Sequence, residues 1–263
     1  MKKLSKFYIS EFAVIIVIAL VFTGCVVNER QKLIIGIDDG YPPIGFRNDI
    51  GEIVGFDIDL AKEIANRLDI EFEFKTIDWN AKEEELNSGN VDIIWNGLNI
   101  TPERKEIYLF SKPYMENRQI ILIKKGKNFD IHSEYDLAGK IVGVRAGSTS
   151  EAYVNRTEEL KNTFADFKSY DSFKAAYDDL VGDKSDVLII DELAGRYERS
   201  QHVDELEVIN VTVGSVTEIG IGFRKKDTEL RNKVQNAFDE MVKDGTAARI
   251  SEKWFQADLI KHT

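Results

Sequence analysis

Two successive blocks of alternating strand and helix patterns restrict the fold of this chain more than any other feature. The first block has an apolar strand pattern at 33–37 and a helix pattern at 56–68, whose apolar residues recur at helical spacing. The second block begins with a strand pattern at 119–124 and continues to alternate as far as residue 201. This alternation predicts an α/β protein with two lobes.

The N-terminus has the pattern of a secretory signal peptide. Three lysines precede an apolar run at 12–22, and small residues follow it. The run of 11 residues is too short to span a bilayer, which requires about 20. We therefore predict a signal peptide over residues 1–24.

The end of this segment predicts a lipid anchor. Phe22-Thr23-Gly24-Cys25 resembles the bacterial lipoprotein box, in which the cysteine is lipidated and becomes the first mature residue. We expect palmitate on Cys25, a short tether at 25–29, and attachment to the extracytoplasmic face of the cell membrane. Because Cys25 is the single cysteine of the chain, the sequence excludes an intramolecular disulfide.

The net charge argues against one class of partner. The whole chain carries −11, and residues 1–24 hold three lysines and one glutamate, so the mature chain carries −11 − 2 = −13. A nucleic acid-binding domain usually has a basic patch. The sequence therefore predicts no nucleic acid partner.

A polar loop after the strand pattern at 91–95 is suited to binding a carboxylate. Gly97 breaks the strand, and Asn99 and Arg104 follow it. Ligands of open α/β sheets bind beyond the carboxyl ends of the strands, and arginine offers two parallel donors to a carboxylate. The alternative is that Thr101 and Pro102 begin a surface helix with an exposed arginine.

Seven segments, one of which is this polar loop, occur in a characteristic order. They lie at 37–46, 55–60, 97–104, 142–148, 185–191, 243–246 and 253–255. This ordered set resembles the polar amino acid-binding lipoproteins of ABC importers, which are type II periplasmic binding proteins of solute-binding protein family 3. The group includes proteins for glutamine, cystine and basic amino acids.

The resemblance implies two Rossmann-like lobes that close over a ligand about a two-strand hinge. Lobe 1 would comprise residues 30–113 and 219–263, and lobe 2 would comprise 119–213. The hinge would lie at 114–118 and 214–218. The resemblance also implies a monomer that works with the permease and ATPase subunits of the importer.

The resemblance assigns a site for the two charges of an amino acid. Arg104 would bind the α-carboxylate, with a backbone N–H from Thr149, and Asp191 would bind the α-ammonium. Gly97 and Asn99 would contact the same end of the ligand, Gly97 through its carbonyl. A zwitterion removed from water needs both charges paired, which supports this assignment independently. The alternative for Asp191 is an N-cap of the following helix.

Five residues fall at or near the positions that would line the side-chain pocket. Tyr41 and Trp79 would enclose the ligand side chain or else pack in the core, and Trp95 would fill the pocket or pack beneath it. Asp38 alone would suit lysine or arginine, but Arg145 repels a cation. The pair favours a glutamine carboxamide or the distal half of cystine. If Arg145 is instead solvated at the rim, a basic amino acid becomes the better ligand.

Two functions other than transport are alternatives for this sequence. The same fold occurs in cleft enzymes such as dehydratases, but the sequence has neither a Ser-His-Asp pattern nor metal-ligand spacing. A receptor would need a transmembrane segment and a signalling domain. We therefore predict a binding protein for a free amino acid, with no catalytic residues, cofactor or metal.

Overall fold

The computed structural model describes residues 31–262. The predicted signal peptide (1–24) and the whole predicted tether (25–29), with Cys25, lie outside the described residues. The strands are β1 (Lys32–Ile37), β2 (Gly40–Tyr41), β3 (Gly45–Arg47), β4 (Ile53–Val54), β5 (Glu71–Thr76), β6 (Ile93–Ile94), β7 (Asn99–Ile100), β8 (Tyr108–Phe110), β9 (Met115–Lys124), β10 (Ile141–Arg145), β11 (Asp166–Tyr170), β12 (Val187–Asp191), β13 (Leu206–Ile219) and β14 (Gly222–Arg224).

Nine α-helices are present in the described part of the chain. They are α1 (Phe56–Leu68), α2 (Lys82–Ser88), α3 (Pro102–Ile107), α4 (Thr149–Arg156), α5 (Glu158–Lys161), α6 (Phe173–Val181), α7 (Glu192–Gln201), α8 (Thr228–Lys243) and α9 (Thr246–Phe255). Short 3₁₀ turns occur at Trp79–Ala81 and Glu134–Leu137. Among residues 31–262, no helix has both the length and the apolar character needed to cross a membrane.

The first sheet has the strand order β5-β1-β6-β14-β8. β1 runs parallel to β5 and β6, whereas β14 pairs antiparallel with β6 and β8. Helix α1 packs with the C-terminal helices α8 and α9, and their apolar faces share one core that includes Ile64, Phe238 and Met241. The C-terminal segment therefore returns to the sheet formed by the first block.

The second sheet has the order β11-β10-β12-β9-β13-β7. β10 is parallel to β11 and β12, and β9 is antiparallel to both β12 and β13. At its far end β13 also pairs with β7, where Glu218 lies opposite Ile100. The long strands β9 and β13 thereby connect the second sheet to the polar loop that carries Asn99.

The local predictions agree best with the structure where the helical periodicity is strong. The helix predicted at 56–68 has those bounds. The strand predicted at 91–95 is shorter, at Ile93–Ile94, because the chain turns away into the polar loop. The strand predicted at 119–124 begins earlier, at Met115, because polar residues obscure its first half in the sequence.

Candidate functional site

A cleft lies between the two sheets. Several of its residues follow the carboxyl ends of strands: Asp38 follows β1, and Arg145 and Asp191 end β10 and β12. This is where open α/β sheets bind ligands. The structure brings all nine predicted ligand-binding residues together here, namely Asp38, Tyr41, Trp79, Gly97, Asn99, Arg104, Arg145, Thr149 and Asp191, although their contact with ligand stays a prediction.

Arg104 lies at one end of the cleft on helix α3. Its guanidinium donates to the Asn99 carbonyl at 3.1 Å, to Thr149 Oγ1 at 3.4 Å and to the Gly147 carbonyl at 3.2 Å. Burial lowers the pKa of Arg104, but an arginine remains charged at neutral pH. Thr101 does cap helix α3, since its hydroxyl accepts the Arg104 N–H at 3.3 Å. The arginine is nevertheless directed into the cleft rather than exposed on the surface.

Asp191 is a buried carboxylate at the same end of the cleft. Three side-chain amides donate to its Oδ1 atom: Asn99 at 3.2 Å, Gln119 at 2.7 Å and Asn117 at short range. Asp191 occupies the N-cap position of α7, yet within the described chain its side chain makes no capping bond. The N-cap interpretation is therefore wrong for the side chain. The three amide donors hold the carboxylate in one orientation.

Asn99 joins this carboxylate to the two long strands. Its Oδ1 atom accepts from Thr217 Oγ1 at 2.7 Å and from Asn117 Nδ2 at 3.2 Å. Sequence analysis did not identify Asn117, Gln119 or Thr217 as site residues. The sequence did contain a signal for two of them. Asn117 and Gln119 are two residues apart in one strand, so their polar side chains lie on the same face of the sheet.

Gly97 is held in place by a buried acid that the sequence analysis also missed. Its N–H donates to Asp57 Oδ2 at 2.7 Å, and Asp57 Oδ1 accepts from the Tyr114 hydroxyl at 2.8 Å. Burial raises the pKa of Asp57 to about 7. Gly97 has φ +64°, and a Cβ atom there would lie 2.7 Å from Tyr41 Cε1, so a larger residue would displace the loop.

The other end of the cleft holds an ion pair. Arg145 Nη2 lies 2.9 Å from Asp38 Oδ2, and the Arg145 side chain is only 7% exposed. A second guanidinium nitrogen of Arg145 donates to the Ala146 carbonyl at 2.9 Å, and the Asp38 N–H donates to Asn96 Oδ1 at 3.1 Å. The interpretation of Arg145 as a solvated residue at the rim is therefore wrong.

Aromatic side chains form part of the cleft wall. Tyr41 stacks on Phe173, with 5.1 Å between ring centroids and 15° between ring planes. Trp79 is buried and also lines the cleft. Phe173 was missed, because an apolar residue at the start of amphipathic helix α6 looks like an ordinary core residue. Burial, reinforced by Asp191, raises the pKa of Tyr41 well above its usual value, so its hydroxyl stays protonated.

Trp95 belongs to the core and not to the cleft. It is 1% exposed and packs in the same cluster as Ile93, which lies two residues earlier on the same face. Asn96 points the other way and lines the cleft. The structure therefore contradicts the prediction that Trp95 fills the pocket, and its burial in the core agrees with the alternative that it packs beneath the pocket.

Comparisons with known proteins agree with this architecture. Residues 33–257 match the family described as bacterial extracellular solute-binding proteins, family 3. The L-cystine-binding protein TcyJ of Escherichia coli (strain K12) is 34% identical over 235 residues, which cover 89% of this chain and 86% of that protein. The arginine-binding extracellular protein ArtP of Bacillus subtilis (strain 168) is 33% identical over 236 residues, covering 88% of this chain and 89% of that protein.

A solved structure is similar over nearly the same region. It is an ABC uptake transporter substrate binding protein from Streptococcus pneumoniae with bound histidine. The TM-score is 0.83 at 36% sequence identity, over 88% of this chain and 94% of that chain. The predicted fold class is thus confirmed, and these relatives are binding proteins rather than enzymes.

Proposed function

This chain belongs to family 3 of the bacterial extracellular solute-binding proteins, and on that premise we propose that it captures cystine and delivers it to an ABC importer. The observation that carries the proposal is that each end of one cleft holds a cation and a carboxylate. Arg104 and Asp191 lie at one end, and Arg145 and Asp38 lie at the other. Cystine has an amino acid zwitterion at each end, so this charge pattern matches it.

At the first end, Arg104 binds the α-carboxylate together with the backbone N–H of Thr149. Asp191 binds the α-ammonium, and the carbonyl of Gly97 accepts from the same ammonium. The N–H of Gly97 is already bonded to Asp57. The three amides on Asp191 Oδ1 support this role, because the carboxylate is oriented before ligand arrives. Both charges of the zwitterion are then paired, as burial requires.

At the second end, Asp38 binds the distal ammonium of cystine and Arg145 binds the distal carboxylate. Their existing contact of 2.9 Å supplies a donor and an acceptor side by side. Glutamine is the second candidate, because its carboxamide also donates and accepts. A basic amino acid remains the alternative of the same type, since Asp38 suits a cation and two relatives are named for arginine. The buried charge of Arg145 disfavours it.

We also propose that the two sheets belong to lobes with the predicted bounds and hinge. The hinge segments at 114–118 and 214–218 are supported by strand pairing, because Thr217 lies opposite Asn117 and Glu218 opposite Glu116. Contacts of Arg104 with Gly147 and of Arg145 with Asp38 join the two sides of the cleft. Ligand that engages both sides therefore favours closure. The protein acts as a monomer with the permease and ATPase of its importer.

The proposed location depends on Cys25. Replacing Cys25 with serine should abolish labelling by a palmitate analogue and release the protein from the membrane, because serine cannot form the thioether to lipid. Cystine binding should be unchanged, since the cleft lies within residues 38–191. Metabolic labelling and membrane fractionation test this. Normal labelling of Cys25→Ser would refute the lipoprotein assignment.

The ligand assignment is tested by calorimetry on wild type and Arg145→Leu with cystine, glutamine and arginine. Wild type should bind cystine best. Arg145→Leu should lose at least about tenfold in cystine affinity, roughly 1.4 kcal/mol, and should gain affinity for arginine because Asp38 then faces the cation alone.

Arg196→Leu is the matched control. It removes an exposed arginine that pairs with Glu192 on helix α7 and does not line the cleft, and it should leave the ligand ranking unchanged. A wild type that prefers arginine, or an Arg145→Leu variant with the wild-type ranking, would favour the basic amino acid alternative.

A further inference from the structure

Asp57 is a buried carboxylate that bonds two groups outside its own helix. It lies in the first turn of α1, it is 1% exposed, and Gly55 is the N-cap of that helix. Its Oδ2 atom accepts the Gly97 N–H at 2.7 Å, and its Oδ1 atom accepts the Tyr114 hydroxyl at 2.8 Å. Both donors are at least 40 residues away along the chain. Because a buried carboxylate is costly unless it is hydrogen-bonded, these two bonds hold Asp57 in place.

The bond to Asp57 restricts the direction of the Gly97 carbonyl. Gly97 has φ +64°, a conformation that glycine adopts without strain, and it lines the cleft. Its N–H and its carbonyl carbon are attached to the same Cα atom. An acceptor that fixes the N–H at this φ therefore also limits where the carbonyl points. This carbonyl is the group assigned to the α-ammonium in the proposed site.

The opposite side of the cleft has the same arrangement around Gly147. Gly147 has φ +67°, and its N–H donates to Glu151 Oε2 at 2.7 Å. Its carbonyl accepts from Arg104 Nη2 at 3.2 Å. A carboxylate that holds the N–H of a glycine thus accompanies a glycine carbonyl that faces a cation. At Gly97 the corresponding cation is the α-ammonium of the ligand.

We propose that Asp57 is a positioning residue that makes the site selective for ligands with a free α-ammonium, acting through the Gly97 carbonyl. The inference rests on the proposed binding of the ammonium in this cleft. Asp191 supplies the charge for the ammonium, and the Gly97 carbonyl supplies a second acceptor at a fixed position. A ligand without the ammonium gains nothing from that carbonyl, so the loss of Asp57 should affect the two kinds of ligand unequally.

The test is the ratio of the affinity for cystine to the affinity for dithiodipropionate, which is cystine without its two amino groups. Calorimetry at pH 7, with displacement titrations for the weaker ligand, measures both affinities. Asp57→Ala leaves the buried Gly97 N–H without its acceptor, so the loop should rearrange and the ratio should fall at least about tenfold. Asp57→Asn retains an oxygen for the Gly97 N–H and should keep the ratio within about threefold of wild type.

Asp92→Ala is the matched control for damage to the fold. Asp92 accepts the Ile34 N–H at 2.9 Å, pairs with Arg224 at 2.9 Å and does not line the cleft. Its loss should lower the melting temperature but leave the affinity ratio unchanged. If Asp57→Ala folds poorly, Tyr114→Phe removes the second bond that orients the Asp57 carboxylate, and it should lower the ratio severalfold.

The wild-type measurement distinguishes failure of this inference from failure of the proposed function. A wild type that binds cystine and dithiodipropionate equally would contradict the proposed ammonium site itself. A wild type that prefers cystine, with the same ratio in Asp57→Ala or in Tyr114→Phe in its place, would overturn the role of Asp57 alone. Equal losses for both ligands would give that unchanged ratio and would mean that Asp57 only supports the fold.

Discussion

Asp191→Asn should weaken cystine binding by about 2–5 kcal/mol, the usual effect of leaving one half of a buried charge pair unpaired. The dissociation constant would rise between about 30-fold and several thousand-fold. Asparagine keeps the size of the side chain and one oxygen for the amides of Asn117 and Gln119. It removes the negative charge and presents an amide or a neutral oxygen to the ligand ammonium. Calorimetry, with thermal denaturation as a check on folding, measures the effect.

The control for this change is Asp186→Asn. Asp186 lies just before β12, at the opposite end of the strand from Asp191, and its carboxylate accepts the Ile141 N–H. The same substitution there should leave affinity within about twofold of wild type. Equal binding by Asp191→Asn and wild type would mean that the ammonium is bound elsewhere.

Arg104→Ala should cause a loss of similar size, about 2–5 kcal/mol. The variant loses the partner of the α-carboxylate and also the bonds to the Gly147 carbonyl and Thr149 that join the two sides of the cleft. We expect much of the loss in the dissociation rate, because those bonds hold the occupied cleft closed. Stopped-flow or surface plasmon resonance kinetics measure this rate.

Two companion variants make this result specific to the guanidinium. Arg104→Lys should recover only part of the affinity, because an ammonium cannot form two parallel bonds to a carboxylate. Lys105→Ala changes the neighbouring exposed cation on α3 and should have little effect. Full recovery in Arg104→Lys would argue for a simple charge effect at this position.

Local sequence patterns were sufficient to predict the main helices and strands and the polar residues that follow the strands. The amphipathic period of α1 (Phe56–Leu68) depends only on neighbouring residues, so its bounds could be predicted correctly. The position of Arg104 after a buried strand likewise predicted a polar residue at the carboxyl end of a sheet. The ordered motifs and their resemblance to family 3 then predicted two lobes and the nine residues now found in one cleft.

What a sequence pattern leaves open is which face of a strand or helix meets the cleft. The side chains of Trp95 and Asn96, which are neighbours in the chain, point in opposite directions. Ile93 and Trp95 pack into one core, and Asn96 therefore lines the cleft. Phe173 has the pattern of a core residue, but its stacking on Tyr41 depends on a strand more than a hundred residues earlier. Such contacts join segments that are distant in the chain.

The sequence determined which charged residues the chain contains, whereas tertiary structure decided which of them are buried and which partners they have. The sequence determined the α/β class, the family and the charged residues available for a zwitterion, because these follow from local period, order and residue type. Tertiary structure decided that Arg145 is buried against Asp38 and that Asp57 supports Gly97. The physical reason is that the free energy of a charge depends on its burial and its partners, and both are set by residues far apart in the chain.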